Sequence, residues 1–153
     1  MKIVFVSSFV PRKCGIATYT HDLAEELIKQ GNTVSIVELK NAVTPRKPHR
    51  LVRKRIDQNT KNQYKTTAQD LNTGDFDLVH IQHEFDLFGG TDGEYILELA
   101  LALKKPLFVT FHTILETPTA NQIYIIQELA RMGRGVIVME EIAKDRLIQT
   151  YGL

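Results

Sequence analysis

Tryptophan is absent from this chain, and cysteine occurs once, as Cys14. A lone thiol closes no intramolecular disulfide, so the chain suits a reducing compartment, expected to be the cytoplasm. Charge of neither sign is in excess: 19 Lys and Arg against 18 Asp and Glu leave a formal net charge of +1. That balance gives no global field for nucleic acid, so none is expected as a partner, and any anion binding has to come from a local patch. No apolar run approaches the roughly 20 residues that span a bilayer, which limits membrane contact to the periphery. The opening Met1-Lys2-Ile3-Val4-Phe5-Val6 is too short for a signal core, because Ser7, Ser8 and then Pro11-Arg12-Lys13 interrupt it. Several nucleotide and hydrolase motifs are missing as well. There is no G-x-G-x-x-G after the first apolar run, no G-K-[ST] and no G-x-S-x-G, which removes the main support for dinucleotide, P-loop and α/β-hydrolase sites.

What is present is ordinary for one globular domain: 153 residues, 43% hydrophobic and 24% charged. Residues 3–6 and 33–39 are β-branched apolar runs that read as strands buried on both faces. Between them Ile16, Tyr19, Leu23 and Leu27 recur at helical spacing until Gly31, giving one strand–helix–strand unit. Residues 41–55 form a basic segment with Arg46, Lys47, Arg50, Arg53, Lys54 and Arg55 beside Pro45 and Pro48. Residues 51–56 read either as an edge strand whose charges discourage aggregation or as a loop that touches anionic lipid headgroups or an acidic substrate. Tyr64, Ala68 and Leu71 then mark a helix that Asp57 or Asn59 is placed to cap and Gly74 closes. Thr91 and Glu94 offer a capping box for a helix over 91–103. Strands are predicted from Asp77 toward an exit at His83-Glu84, at 107–111 and at 135–139, and helices around Ile123–Ala130 and Ile142–Tyr151. The alternation predicts an α/β fold: a single Rossmann-like, doubly wound domain over 1–153, with a mostly parallel sheet and helices on both faces.

In such a sheet ligands bind beyond the carboxyl ends of the strands, where the strand order reverses. That rule selects residues 12–15, His83-Glu84, His112 and Glu140-Glu141. Gly15 either permits a tight turn or brings backbone close to a ligand at a helix N-terminus. His83, Glu84 and His112 stand at strand exits and are candidates for ligand contact or catalysis. His80 alternates to the opposite face from His83 and reads as an interior, hydrogen-bonded residue; no metal site is expected, because the two imidazoles diverge and no cysteine joins them. Gly89-Gly90 is either a flexible lead into a helix or an anion-binding nest. Cys14 reads as a passive loop thiol.

Three segments together resemble a known family. These are Phe5-Val6-Ser7-Ser8 followed by Pro11-Arg12-Lys13-Cys14-Gly15-Ile16-Ala17-Thr18-Tyr19, then Ile81-Gln82-His83-Glu84-Phe85 with Leu87-Phe88-Gly89-Gly90, and Val109-Thr110-Phe111-His112-Thr113. The chain resembles the N-terminal half of a bacterial family 4 glycosyltransferase of the GT-B fold. The resemblance implies retaining transfer of a sugar from a nucleotide-diphosphate donor to an acceptor hydroxyl, with no cofactor or metal required. It implies that Gly15 and Ile16 lie near the donor phosphates, that His112 contacts the donor sugar catalytically, and that His83 and Glu84 line the acceptor side. Gly89, Gly90, Arg53, Lys54 and Arg55 remain candidates for anion or interface contact. The expected partners are an acceptor glycan or lipid-linked sugar, a C-terminal nucleotide-sugar domain that would follow Leu153, and an anionic membrane touched peripherally at its inner face. Glu140-Glu141 is not the paired-glutamate motif of that second domain, and the loop has one glycine where many members have two. Without the second domain the chain is expected to be inactive. The rival reading is a stand-alone Rossmann-like module that binds a glycan, lipid or protein without chemistry.

Overall fold

The computed structural model describes residues 1–40 and 47–153. Runs of β-branched and aromatic residues become β1 (Lys2–Ser7), β2 (Thr33–Lys40), β3 (Val52–Asp57), β4 (Leu78–His83), β5 (Leu107–Phe111) and β6 (Gly135–Val138). They form one 6-stranded sheet in the order β3-β2-β1-β4-β5-β6. Every pairing is parallel. The chain moves outward from β1 to β3 and then crosses back to β4, so the order reverses between β1 and β4.

The helices are α1 (Gly15–Lys29), α2 (Lys61–Thr73), α3 (Ile96–Ala102), α4 (Ala120–Met132) and α5 (Glu141–Gln149). Alternation along β1 assigns them to the two faces. Ile3 and Phe5 pack with Phe9, Ala24, Val34 and Ile36 beneath α1. Val4 and Val6 join the larger core with Tyr64 and Leu71 of α2, Ile96 of α3, Ile126 of α4 and Leu147 of α5. The α1 face is therefore covered on one side only. Beyond α1, an apolar groove of about 350 Å³ runs over Phe5, Leu23, His80, Phe108 and Ile137, and Ile137 is 43% exposed.

Local signals and structure part company at two helix starts. The N-cap of α2 is Thr60, without a side-chain hydrogen bond, whereas Asp57 donates its backbone N–H to Gln63 Oε1 and accepts from Asn59 N–H. The predicted capping box at Thr91 does not form, because Asp92 adopts φ 53 and residues Thr91–Gly93 make only a 3-10 turn. A left-handed residue cannot begin an α-helix, so α3 starts at Ile96. The Asp92 carboxylate instead accepts from Asn121 at 3.0 Å and Gln122 at 3.1 Å, tying the turn to the start of α4. A capping box does exist there, between Thr119 and Gln122.

The basic segment follows the edge-strand reading, with β3 at the sheet margin. Arg53 lies 4.4 Å over the Phe76 ring, Lys54 pairs with Asp70, and Arg55 Nε reaches Glu38 Oε2 at 2.7 Å. These contacts engage all three candidate anion-binding side chains within the protein. Pro45 and Arg46 lie outside the described residues. Among the described residues no helix is long and apolar enough to cross a membrane.

Candidate functional site

Adjacent strand ends gather polar groups beside the point where the sheet order reverses. The register that pairs His83 with Phe111 continues for one more residue, as His112 N–H donates to the His83 carbonyl at 3.1 Å. This sets the His112 ring beside Gln82, which lies on the same face, and Nε2 meets Gln82 Oε1 at 2.8 Å. Tyr19 of α1 closes the other side with its ring 5.0 Å away and nearly perpendicular. Burial lowers the pKa of His112, while the nearby Glu84 charge acts in the opposite sense. Glu84 itself accepts from the Thr113 hydroxyl at 2.5 Å and from Phe85 N–H at 3.0 Å, so its carboxylate is held rigidly between two strand exits. Gln82 is fully buried, and its amide nitrogen has no partner among the described residues. An unmade buried hydrogen bond of that kind costs about 1–3 kcal/mol.

The N-terminus of α1 lies one helical turn before Tyr19, whose ring borders His112. Cys14 is the N-cap: its Sγ accepts from Ala17 N–H at 3.4 Å and contacts Ser8 Oγ at 3.1 Å, which gives the passive thiol a structural task. A Cβ added at Gly15 would meet nothing within 4 Å, so neither packing nor φ demands glycine there. Ile16 packs against the larger core and its carbonyl accepts from Thr20 Oγ1 at 2.7 Å.

His83 lies on the opposite face from His112. Its ring is fully buried among Phe85, Phe88 and Phe111, with centroids 5.1 to 5.8 Å apart. Neither ring nitrogen has a partner among the described residues, and burial pushes its pKa down to about 3. The imidazole is a neutral core residue and does not line the crevice. His80 behaves as an interior residue too, with Nε2 2.8 Å from Thr110 Oγ1 and a pKa lowered by burial to about 4. Gly89 and Gly90 answer to packing. A Cβ at Gly89 would come within 2.0 Å of the Gln58 carbonyl oxygen, and Gly89 N–H already donates to Tyr64 Oη at 3.2 Å. Gly90 adopts φ 84 and abuts Tyr95.

Residues 14–153 match the family model Glycosyltransferase Family 4. The chain belongs to that family. No curated protein matches it. Among solved structures, an α-glucosyltransferase in complex with UDP is 15% identical, with a TM-score of 0.66 over 99% of this chain and 38% of its own. An α-glucosyltransferase in complex with UDP and a 13-mer DNA gives 15% identity and a TM-score of 0.67 over 99% of this chain and 39% of its own. A putative short-chain alcohol dehydrogenase from Burkholderia multivorans, 14% identical, gives a TM-score of 0.53 over 94% of this chain and 85% of its own. At such identities the likeness is one of fold. The fold is the Rossmann-like α/β fold of GT-B glycosyltransferases, and this chain spans less than two-fifths of the length of the glucosyltransferases it matches.

In this family 4 domain the sequence marks Gln82 as a polar side chain inside an otherwise apolar strand, on the face shared with His80 and Glu84, but gives it no role, and it marks Tyr19 only as part of a helix face; the structure sets both against His112. His112 also lines a second cavity, of about 180 Å³, with Thr113, Met139, Glu140 and Arg146. Met139 and Ile142 stand 47% and 53% exposed beside it, so the carboxyl-end rim of the sheet carries uncovered apolar surface. Among the described residues no group of three or more His, Cys, Asp or Glu is arranged to hold a metal ion.

Proposed function

We propose that this domain supplies the acceptor side of a retaining glycosyltransferase that moves a sugar from a nucleotide-diphosphate donor to an acceptor hydroxyl. The observation that carries the reading is the His112–Gln82 pair set beside the open N-terminus of α1, in a chain that belongs to glycosyltransferase family 4. The α1 N-terminus directs unpaired backbone N–H groups and a positive dipole end outward, which suits the donor phosphates near Gly15 and Ile16. His112 and the rigid Glu84–Thr113 pair suit the hydroxyls of the sugar and of the acceptor. Preorganised polar groups of this kind stabilise charge that develops in the transition state, and dipoles fixed in advance need no reorganisation.

The second half of the site is assigned to a nucleotide-sugar domain that covers the exposed Met139 and Ile142 rim. The matched α-glucosyltransferase structures contain UDP, which makes UDP-glucose the first donor to try. Some of them also contain DNA, so the expectation that nucleic acid is no partner gains nothing from them, and an oligonucleotide belongs in the acceptor panel with glycans and lipid-linked sugars. The test compares nucleotide release from UDP-sugars by the 153-residue chain and by a protein in which a nucleotide-sugar domain follows it. Turnover is expected only for the longer protein. Transfer by the short chain alone would contradict the reading.

A further inference from the structure

Among the described residues Gln82 is the one side chain hydrogen-bonded to His112. An amide oxygen accepts and never donates, so the Gln82 Oε1 to His112 Nε2 contact at 2.8 Å requires the hydrogen on Nε2. Partial burial disfavours the imidazolium. A neutral imidazole carries one N–H, and with that hydrogen on Nε2 the other nitrogen, Nδ1, is an acceptor. No hydrogen bond joins Nδ1 to another described residue. The Tyr19 ring packs perpendicular to the imidazole at 5.0 Å and holds its plane.

We propose that Gln82 is the positioning residue of the site: it fixes His112 as the Nε2–H tautomer and leaves Nδ1 as an acceptor for a hydroxyl group. In the transferase reading, on which the identity of the ligand rests, that hydroxyl belongs to the bound sugar. An ionised diphosphate has no hydrogen to offer a lone pair, so the same tautomer turns His112 away from the phosphates and leaves them to the α1 N-terminus.

The test is a long-range proton–nitrogen correlation spectrum of the ¹⁵N-labelled 153-residue chain at neutral pH. Wild type is expected to show His112 with a protonated Nε2 and a lone-pair Nδ1. Gln82→Met, close in volume but without an acceptor, is expected to mix the two tautomers. Gln82→Glu is expected to raise the His112 titration midpoint by about one pH unit or more, because a carboxylate at the same place favours the imidazolium. An Nδ1–H tautomer in wild type overturns the proposal. So does a Gln82→Met spectrum with an unchanged tautomer, or an unmoved midpoint in Gln82→Glu. If Gln82→Met does not fold, the wild-type spectrum and the Gln82→Glu titration still decide. No substrate is present, so the outcome is independent of any transfer assay.

Discussion

Arg55 Nε reaches Glu38 Oε2 at 2.7 Å where the Glu38 side chain is 1% exposed, so the basic edge strand is pinned to its neighbour by a largely buried ion pair. A buried carboxylate that loses a charge partner is strongly destabilising, whereas exposed pairs contribute little. Arg55→Gln is therefore expected to lower the unfolding free energy by about 2 kcal/mol in urea titrations, and Lys54→Gln by less than about 0.5 kcal/mol. With Arg53, Lys54 and Arg55 all engaged inside the protein, changing the three to glutamine is expected to leave binding to anionic phospholipid vesicles unchanged. Weaker vesicle binding would restore a membrane role to this strand.

Acid should weaken the fold through its buried histidines. His83 has its pKa lowered by burial from 6.5 to about 3, and His80 from 6.5 to about 4. Between those values the unfolded chain binds more protons than the native one, so stability rises with pH across that window. Their contribution is fully present above about pH 6.5 and is lost progressively as pH falls toward 3. His83→Phe removes one titrating group and two ring nitrogens that have no partner among the described residues. The variant is expected to be at least as stable as wild type at pH 7 and to lose less stability than wild type between pH 7 and pH 5. Equal losses in the two proteins would place His83 outside this account.

Gly15 and Gly89 should respond in opposite ways to alanine. At Gly15 the space for a Cβ is open and the residue begins α1, where alanine is the better helix former by up to about 1 kcal/mol. Stability is expected to hold or rise slightly, while on the proposed function the donor KM of the longer enzyme rises about tenfold, because the methyl group would stand between the proposed donor phosphates and the backbone N–H groups. At Gly89 the added carbon would strike the Gln58 carbonyl oxygen, a backbone atom 2.0 Å away. Its alanine variant is expected to lose about 3 kcal/mol or more of stability, or not to fold. A stable Gly89→Ala chain, or an unchanged donor KM for Gly15→Ala, would contradict the roles assigned.

The fold was largely legible in the sequence because its strands are short β-branched runs separated by glycine and proline, and parallel strands buried on both faces leave that pattern. The order that sets β1 beside β4 and β4 beside β5 is that of a doubly wound sheet, and it brings Tyr19 of α1 against His112. Illegible features depended on long-range contacts. Thr91 and Glu94 have the spacing of a capping box, but the Asp92 carboxylate finds three side-chain donors around the start of α4, about 30 residues away, and its backbone turns left-handed. Alternation put His83 on the face opposite His80. Only the structure shows that the turn Phe85–Leu87 folds back and that Phe85 and Phe88 close over the imidazole. The Gln82–His112 bond joins residues 30 apart and leaves no local trace.

The central claim is that His112 touches the donor sugar in the reacting complex. Steady-state kinetics of His112→Ala in the protein that carries both domains test it most directly, with UDP-glucose first and other nucleotide sugars after it. The account predicts a kcat lowered about 10²–10³-fold, with an unfolding midpoint close to wild type, because the lost interaction acts on the transition state. A kcat equal to wild type with a folded variant would contradict it.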